Sequence, residues 1–238
     1  MLSRRQFVYL TAAALASCDA LASNSEAPSM LDHILVGSND LDHGIAFLEE
    51  KTGVRAVFGG VHPGRGTRNA LLSLGQRRYL EIIAPDPAQT LVPDYGVTLL
   101  NMIKASTTPT LVGWSAHPGD IEALAQKLKF QKIKFDGPRA GSRQRPDGRL
   151  LKWKTVSLDD DHNGVLPFFI EWDPASPHPS TDTPAGCELE RFAIVDPDTV
   201  TIGKLCAQLG IDAPVEKGDA SRLVARIRGP KGMLELTS

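Results

Sequence analysis

Four residues stand alone inside apolar runs, and their types can do chemistry. His33 interrupts Leu31-Asp32-His33-Ile34-Leu35-Val36, and Glu81 interrupts Tyr79-Leu80-Glu81-Ile82-Ile83. Glu171 and Glu235 stand likewise in Phe168-Phe169-Ile170-Glu171-Trp172 and Met233-Leu234-Glu235-Leu236. Burying such a group without a partner costs about 1–3 kcal/mol if it is neutral and far more if it is charged. Each therefore needs a counterpart. A histidine and a carboxylate on facing strands can exchange a proton, bind a metal, or hydrogen-bond each other across the sheet. The chain has only ten glutamates, so three at the same place in three similar segments suggest one repeated module. Glu235 reads as the partner of a structural arginine, and Glu81 and Glu171 as site residues with catalytic roles.

Two loops point the same way. Residues 59–68 run Gly-Gly-Val-His62-Pro-Gly-Arg65-Gly-Thr-Arg68, followed by Asn69, and residues 137–149 are again rich in glycine and arginine, ending on Arg149. Arginine presents a planar fork of donors matched to carboxylate or phosphate. His62, Arg65, Arg68, Asn69 and Arg149 are accordingly the expected substrate-binding residues. The plain alternative is two solvated loops on a mobile edge. The corresponding loop of the third segment shrinks to residues 217–220, so the first two segments are expected to pair around the site while the third supports them.

The elements that must position these residues repeat. Residues 31–36 form an apolar strand, 40–51 an amphipathic helix, and 55–58, 69–74 and 79–84 three strands, a βαβββ pattern over 31–85. A connector over 86–109 carries a helix at 97–105. The pattern returns over 110–172, with strands at 110–116, 132–135, 150–158 and 165–172 and a helix at 121–128. A proline-rich linker, 173–185, precedes a third occurrence over 186–238, with a strand at 189–195, a helix at 199–209 and strands at 215–216, 223–227 and 233–236. The expected fold class is α+β: two modules around a cleft, and a third packed on them. His43, His162 and His178 read as surface residues.

The charge balance is even, 26 basic against 28 acidic side chains, and no lysine-rich tract marks a nucleic-acid partner. After the N-terminus no apolar run is long enough to span a bilayer. Residues 1–22 are set apart as a targeting segment. Ser3-Arg4-Arg5-Gln6-Phe7 resembles a twin-arginine export signal, with an apolar stretch at 8–16 and Ala20-Leu21-Ala22 as a cleavage site. Leu15-Ala16-Ser17-Cys18 resembles a lipobox, which would place a lipid anchor at Cys18. The expected location is the periplasm, soluble or lipid-anchored. Cys187 and Cys206 read as separate buried thiols.

Tandem βαβββ modules with a histidine on the first strand and a glutamate on the last resemble the vicinal oxygen chelate superfamily. Within it, residues 31–37, 62–69 and 78–85 resemble the glyoxalase-like domain proteins. The resemblance implies a divalent metal in the cleft, with His33, Glu81 and Glu171 as ligands. Gly113 stands where a fourth ligand belongs, and His117 is the nearest substitute. It also implies a lyase or isomerase acting on a small oxygenated, anionic substrate, with a metal-bound water or Glu81 and Glu171 as base. A metal-free binding or sequestering protein is the alternative. Ring-opening dioxygenase chemistry requires two histidines and a carboxylate around iron.

Overall fold

The structure is a computed structural model and describes residues 27–89 and 94–238. The expected export signal, its expected cleavage site and Cys18 lie outside the described residues. The first module comprises β1 (Leu31–Gly37), α1 (Leu41–Thr52), β2 (Val57–His62), β3 (Thr67–Ser73) and β4 (Tyr79–Pro85). After α2 (Asp94–Ala105) the second follows as β5 (Thr110–Ala116), α3 (Ile121–Phe130), β6 (Phe135–Gln144), β7 (Leu150–Leu158) and β8 (Phe168–Trp172). A 3₁₀ turn over Pro179–Thr181 sits in the proline-rich linker, and the third module is β9 (Glu188–Asp196), α4 (Thr199–Leu209), β10 (Val215–Lys217), β11 (Arg222–Gly229) and β12 (Gly232–Thr237). The fold is α+β, as its patterning requires.

Three helices start the same way. Asp40, Asp120 and Asp198 are N-caps whose carboxylates accept from the backbone N–H three residues on, at His43, Ala123 and Thr201. Glycines in the left-handed region, Gly53 and Gly210, end α1 and α4. Leu41, Ile45 and Leu48 of α1, and Ile121, Leu124 and Leu128 of α3, form the apolar stripes that cover the sheet.

Modules one and two share one eight-stranded sheet of order β2-β3-β4-β1-β5-β8-β7-β6. The two halves mirror each other. In each, the first strand lies parallel to the last, β1 to β4 and β5 to β8, and the antiparallel β1–β5 pair joins them. Strand alternation divides the side chains. Ala70, Leu72, Leu80, Ile82 and Ala84 belong to the helix-covered core, whereas Asn69, Leu71, Tyr79, Glu81 and Ile83 lie on the other face. The sheet curls until its outer strands meet across that second face, bringing Arg143 of β6 against His62 of β2. Gly60 makes the approach possible. A Cβ there, at φ +134°, would stand 3.0 Å from Arg143 Cδ and 3.1 Å from the Gln144 carbonyl oxygen.

The third module has the expected βαβββ element order but a different sheet. Its strands run β10-β9-β11-β12, so the first strand is parallel to the second rather than to the last. This small sheet packs on the helix-covered side of the large one. Phe192 meets Trp114 with ring centroids 4.9 Å apart, and Gly229 approaches Thr52 so closely that a Cβ would be 2.4 Å from the Thr52 carbonyl oxygen. Glu235 pairs with Arg226 across β11 and β12, at 3.0 Å, on the surface. Cys187 and Cys206 are both buried and unbonded. Among the described residues no helix is long and apolar enough to cross a membrane.

Candidate functional site

Parallel pairing of β1 with β4 sets His33 opposite Tyr79 and Leu35 opposite Glu81, so His33 and Glu81 share the concave face. The His33 ring stacks on Tyr79 at 4.4 Å and meets the edge of Phe168 at 5.5 Å. It is 1% exposed. Its Nε2 lies 3.7 Å from Glu81 Oε2. Its Nδ1 is 2.8 Å from Asp32 Oδ1, and because an ionised carboxylate only accepts, Nδ1 carries the hydrogen. The Nε2 of this imidazole is the nitrogen that faces Glu81.

Asp32 owes its place to a bulge. The β1–β5 register shifts between Leu31 and His33, so two consecutive residues project toward the concave side. Its buried carboxylate also accepts from Trp172 Nε1 at 3.2 Å and from His178 Nε2 at 3.2 Å. His178 is fixed in turn, because its Nδ1 accepts from the backbone N–H and hydroxyl of Ser180, at 3.2 and 2.8 Å, and so leaves the hydrogen on Nε2. Burial alone would raise the Asp32 pKa. The hydrogen bonds and charges of His178 and His33 more than reverse that and hold it well below the ordinary carboxylate range. His178 is thus no surface residue: the linker returns it to the floor of the cleft.

Glu81, 7% exposed, is gripped from its other side. Asn69 Nδ2 donates to Glu81 Oε1 at 2.8 Å and lies 3.3 Å from His62 Nε2, bridging the two. His62 Nε2 also faces Arg143 Nη1 at 3.5 Å. With two donors directed at Nε2, His62 carries its hydrogen on Nδ1 and donates it to Thr67 Oγ1 at 2.9 Å. Burial pushes the His62 pKa down to about 4, the Glu81 charge opposing and the Arg143 charge adding to the fall, so the ring is neutral at neutral pH. For Glu81, burial is outweighed by the charges of His62, His33 and Arg143 and by the Asn69 hydrogen bond, and its pKa is lowered. The group at the centre of the cleft is a buried, ionised carboxylate between two imidazoles. Gly59 lets it assemble: a Cβ there would be 2.5 Å from Asn69 Oδ1.

Other expected site residues stand elsewhere. Glu171 faces α3, where its Oε2 accepts from the Ile121 backbone N–H at 2.7 Å. The glutamate of the second module is one residue out of phase with that of the first. Phe168, Ile170 and Trp172 take the concave positions, so the apolar Ile170 stands where a second carboxylate would be, and a one-residue slip turns Glu171 to the helix side. Arg68 shares the face of Ala70 and Leu72, opposite to Asn69. Arg149 pairs with Asp147 at 2.5 Å and Asp182 at 2.8 Å. Arg65 is exposed and acts on His62 only through its charge. His117 Nε2 bonds the Ser29 carbonyl oxygen at 3.1 Å, and Gly113 opposes Leu35. A cavity of about 550 Å³ between module two and α4, lined by Lys132, Leu158, His162, Leu205 and Leu209 among others, includes none of the cleft residues.

The profile of the glyoxalase-like domain matches residues 31–210. The chain belongs to that family. It thereby joins the vicinal oxygen chelate superfamily, and the match runs past the linker into β9 and α4 of the third module. No curated protein matches the sequence. Among solved structures, a hypothetical protein from Staphylococcus aureus is similar at 18% identity, with 87% of this chain and 84% of that chain covered and a TM-score of 0.62. Methylmalonyl-CoA epimerase from Mycobacterium tuberculosis is similar at 18% identity over 63% of this chain and 91% of that chain, TM-score 0.42. A hypothetical protein from Bacillus halodurans gives 12%, 62%, 95% and 0.43.

Members of the superfamily commonly bind a divalent metal. The glyoxalase-like cleft described here does not present the donors for one. His33 Nε2 and His62 Nε2 approach different oxygens of Glu81, at 3.7 and 3.5 Å. The lone pair of His62 Nε2 is already directed at N–H donors of Asn69 and Arg143, and the Glu171 carboxylate is engaged at the start of α3. Among the described residues no group of three or more His, Cys, Asp or Glu side chains is arranged to hold a metal ion.

Proposed function

We propose that this glyoxalase-like protein is a proton-transfer enzyme of the isomerase or lyase type, acting on a small oxygenated anion in the cleft between modules one and two. One observation carries this reading. A carboxylate held ionised inside the protein, Glu81, stands 3.7 Å from the Nε2 of an imidazole whose other nitrogen is locked by a buried aspartate. Glu81 is the base: it takes a proton from carbon beside a carbonyl, the C–H electron pair becomes the C=C bond, and the carbonyl π pair moves to oxygen to give an enolate. Returning the proton to the other face or to a neighbouring atom gives an isomerase, and expulsion of a leaving group gives a lyase. His33, oriented by Asp32, exchanges protons through Nε2, while neutral His62 and Asn69 fix the Glu81 carboxylate. No oxidant or reductant is involved.

Hydrogen–deuterium exchange tests it. Small 2-hydroxy and 2-oxo acids incubated with the protein in D₂O are followed by proton NMR for loss of the C–H signal beside the carbonyl. Wild type exchanges at least one of them, and Glu81→Gln loses at least about a hundredfold in rate. Binding of these acids with no exchange above the Glu81→Gln background is the behaviour of a sequestering protein and overturns the proposal. We place the enzyme in the periplasm, exported through Arg4 and Arg5. Lysine at both positions should leave the full-length precursor in the cytoplasm, and normal export of that variant would remove the assignment.

A further inference from the structure

The cleft contains a buried cation that makes no direct ion pair among the described residues. Arg143 is 4% exposed, on the concave face near the end of β6. Among the described residues no carboxylate comes within ion-pairing distance of it, and its polar contact is the 3.5 Å approach of Nη1 to His62 Nε2, a neutral imidazole. Its Nε is buried with no hydrogen-bond partner. Buried guanidinium groups are ordinarily paired, because leaving water unpaired is costly. The neighbouring arginines obey that rule: Arg145 pairs with Asp182 at 2.6 Å, and Arg149 with Asp147 and Asp182. Arg68 and Arg145 also have an unpartnered Nε, but strand alternation sets Arg68 on the opposite face from Asn69, and Arg145 is paired through Nη1 with Asp182. The Arg143 stem packs closely against Gly60, where a Cβ would stand 3.0 Å from its Cδ.

We infer that Arg143 is the receptor for the negative charge of the ligand, and that the ligand is a small monocarboxylate which docks its carboxylate on this guanidinium with the adjoining carbon toward Glu81. The docking stands on the geometry of Arg143, and the orientation toward Glu81 rests on the proton-transfer reading above. The spacing suits it. Arg143 Nη1 and Glu81 Oε1 each lie 3.5 Å from His62 Nε2, so they are at most twice that distance apart, and they form no ion pair. With the charges of Glu81 and Asp32 nearby, a single guanidinium favours one negative charge over two. The planar fork of the guanidinium favours a carboxylate over a lone hydroxyl.

Equilibrium binding tests this apart from turnover. Lactate, pyruvate, lactamide and inorganic phosphate are titrated calorimetrically into wild type, Arg143→Lys, Arg143→Gln and Glu81→Gln, each checked for native near-ultraviolet circular dichroism. The two acids should bind wild type, with lactamide and phosphate each weaker by at least roughly tenfold. Arg143→Gln should weaken the acids by about a hundredfold and Arg143→Lys by an intermediate factor, because a point charge replaces a fork. Glu81→Gln should keep or improve acid binding while abolishing exchange. If Arg143→Gln does not fold, the Arg143→Lys series carries the comparison. Lactamide or phosphate binding as well as the acids, no acid binding to wild type, or acid affinity unchanged in the folded Arg143 variants would overturn the inference. Deuterium exchange that is lost with Glu81 but indifferent to Arg143 leaves the proton-transfer reading standing and sinks this one. Arg143-dependent binding without exchange does the reverse.

Discussion

Replacing Asp32 by asparagine removes the charge on which three elements converge. The carboxylate accepts from His33 Nδ1 at 2.8 Å, from Trp172 Nε1 at 3.2 Å and from His178 Nε2 at 3.2 Å, all donors, so β1, β8 and the linker meet on one buried anion. Asparagine keeps one acceptor oxygen and turns an N–H toward at least one of those donors. Hydrogen bonds to a charged group contribute about 1.5–3 kcal/mol each, and breaking a buried charge network typically costs 3–5 kcal/mol. The expected loss is therefore about 3–5 kcal/mol, which for a chain of this size lowers Tm by on the order of 10 °C. The native Asp32 pKa is depressed, so its contribution is complete above the unfolded carboxylate value of about 3.9 and is lost as pH falls toward the native value. Urea unfolding of wild type and Asp32→Asn, followed by tryptophan fluorescence, should show a constant gap from about pH 5 to 8 that narrows below about pH 4. A gap under about 0.5 kcal/mol at pH 7, or one that stays constant down to pH 2.5, refutes the idea that this carboxylate clamps the cleft.

Three further outcomes follow from the same geometry. His62 has its pKa depressed to about 4, so the native state favours its neutral form; stability should fall as pH drops from about 6.5 toward 4, and His62→Asn should flatten that slope by roughly 2–3 kcal/mol in urea midpoint series, leaving the smaller share of His117, whose pKa burial also lowers. Glu171→Ala should cost about 0.5–2 kcal/mol through the lost cap on Ile121, measured by thermal melting, and leave deuterium exchange within about twofold of wild type; a hundredfold loss of exchange would return Glu171 to the site. Gly60→Ala meets both a left-handed φ and the Arg143 stem, and should destabilise by about 1–3 kcal/mol while weakening lactate binding; unchanged melting and binding would contradict the β2–β6 closure.

Much of this was readable in the residues, for identifiable reasons. His33 and Glu81 interrupt apolar runs on the first and last strands of a module, and parallel pairing of those strands makes them neighbours. His62 and Asn69 flank a two-stranded turn whose glycines are needed for close approach, and the structure brings both beside Glu81. Glu171 misled because its run, like that of Glu81, is apolar on both sides, and face depends on a phase of one residue that only register decides. Asp32 was hidden by a bulge, which breaks the alternation that a strand pattern assumes. His178 comes from a proline-rich linker, where nothing local signals tertiary docking. Arg143 lay in a glycine- and arginine-rich stretch that reads as a loop, yet Phe135–Gln144 is a strand because it pairs along β7 and closes on β2. Sheet order in the third module was equally invisible, since βαβββ describes both connectivities.

The central claim is that the cleft works through its own side chains, with Glu81 as base. Its most direct test is the deuterium-exchange rate of chelator-treated wild-type protein, measured on the acid that exchanges fastest, before and after addition of Zn²⁺, Mn²⁺ or Ni²⁺. The expected result is a rate unchanged within about twofold by chelation or metal addition, and lost by at least about a hundredfold in Glu81→Gln under every condition. Exchange that vanishes on chelation and returns with one of these ions would contradict the account, and would require His33, His62 and Glu81 to rearrange around a metal.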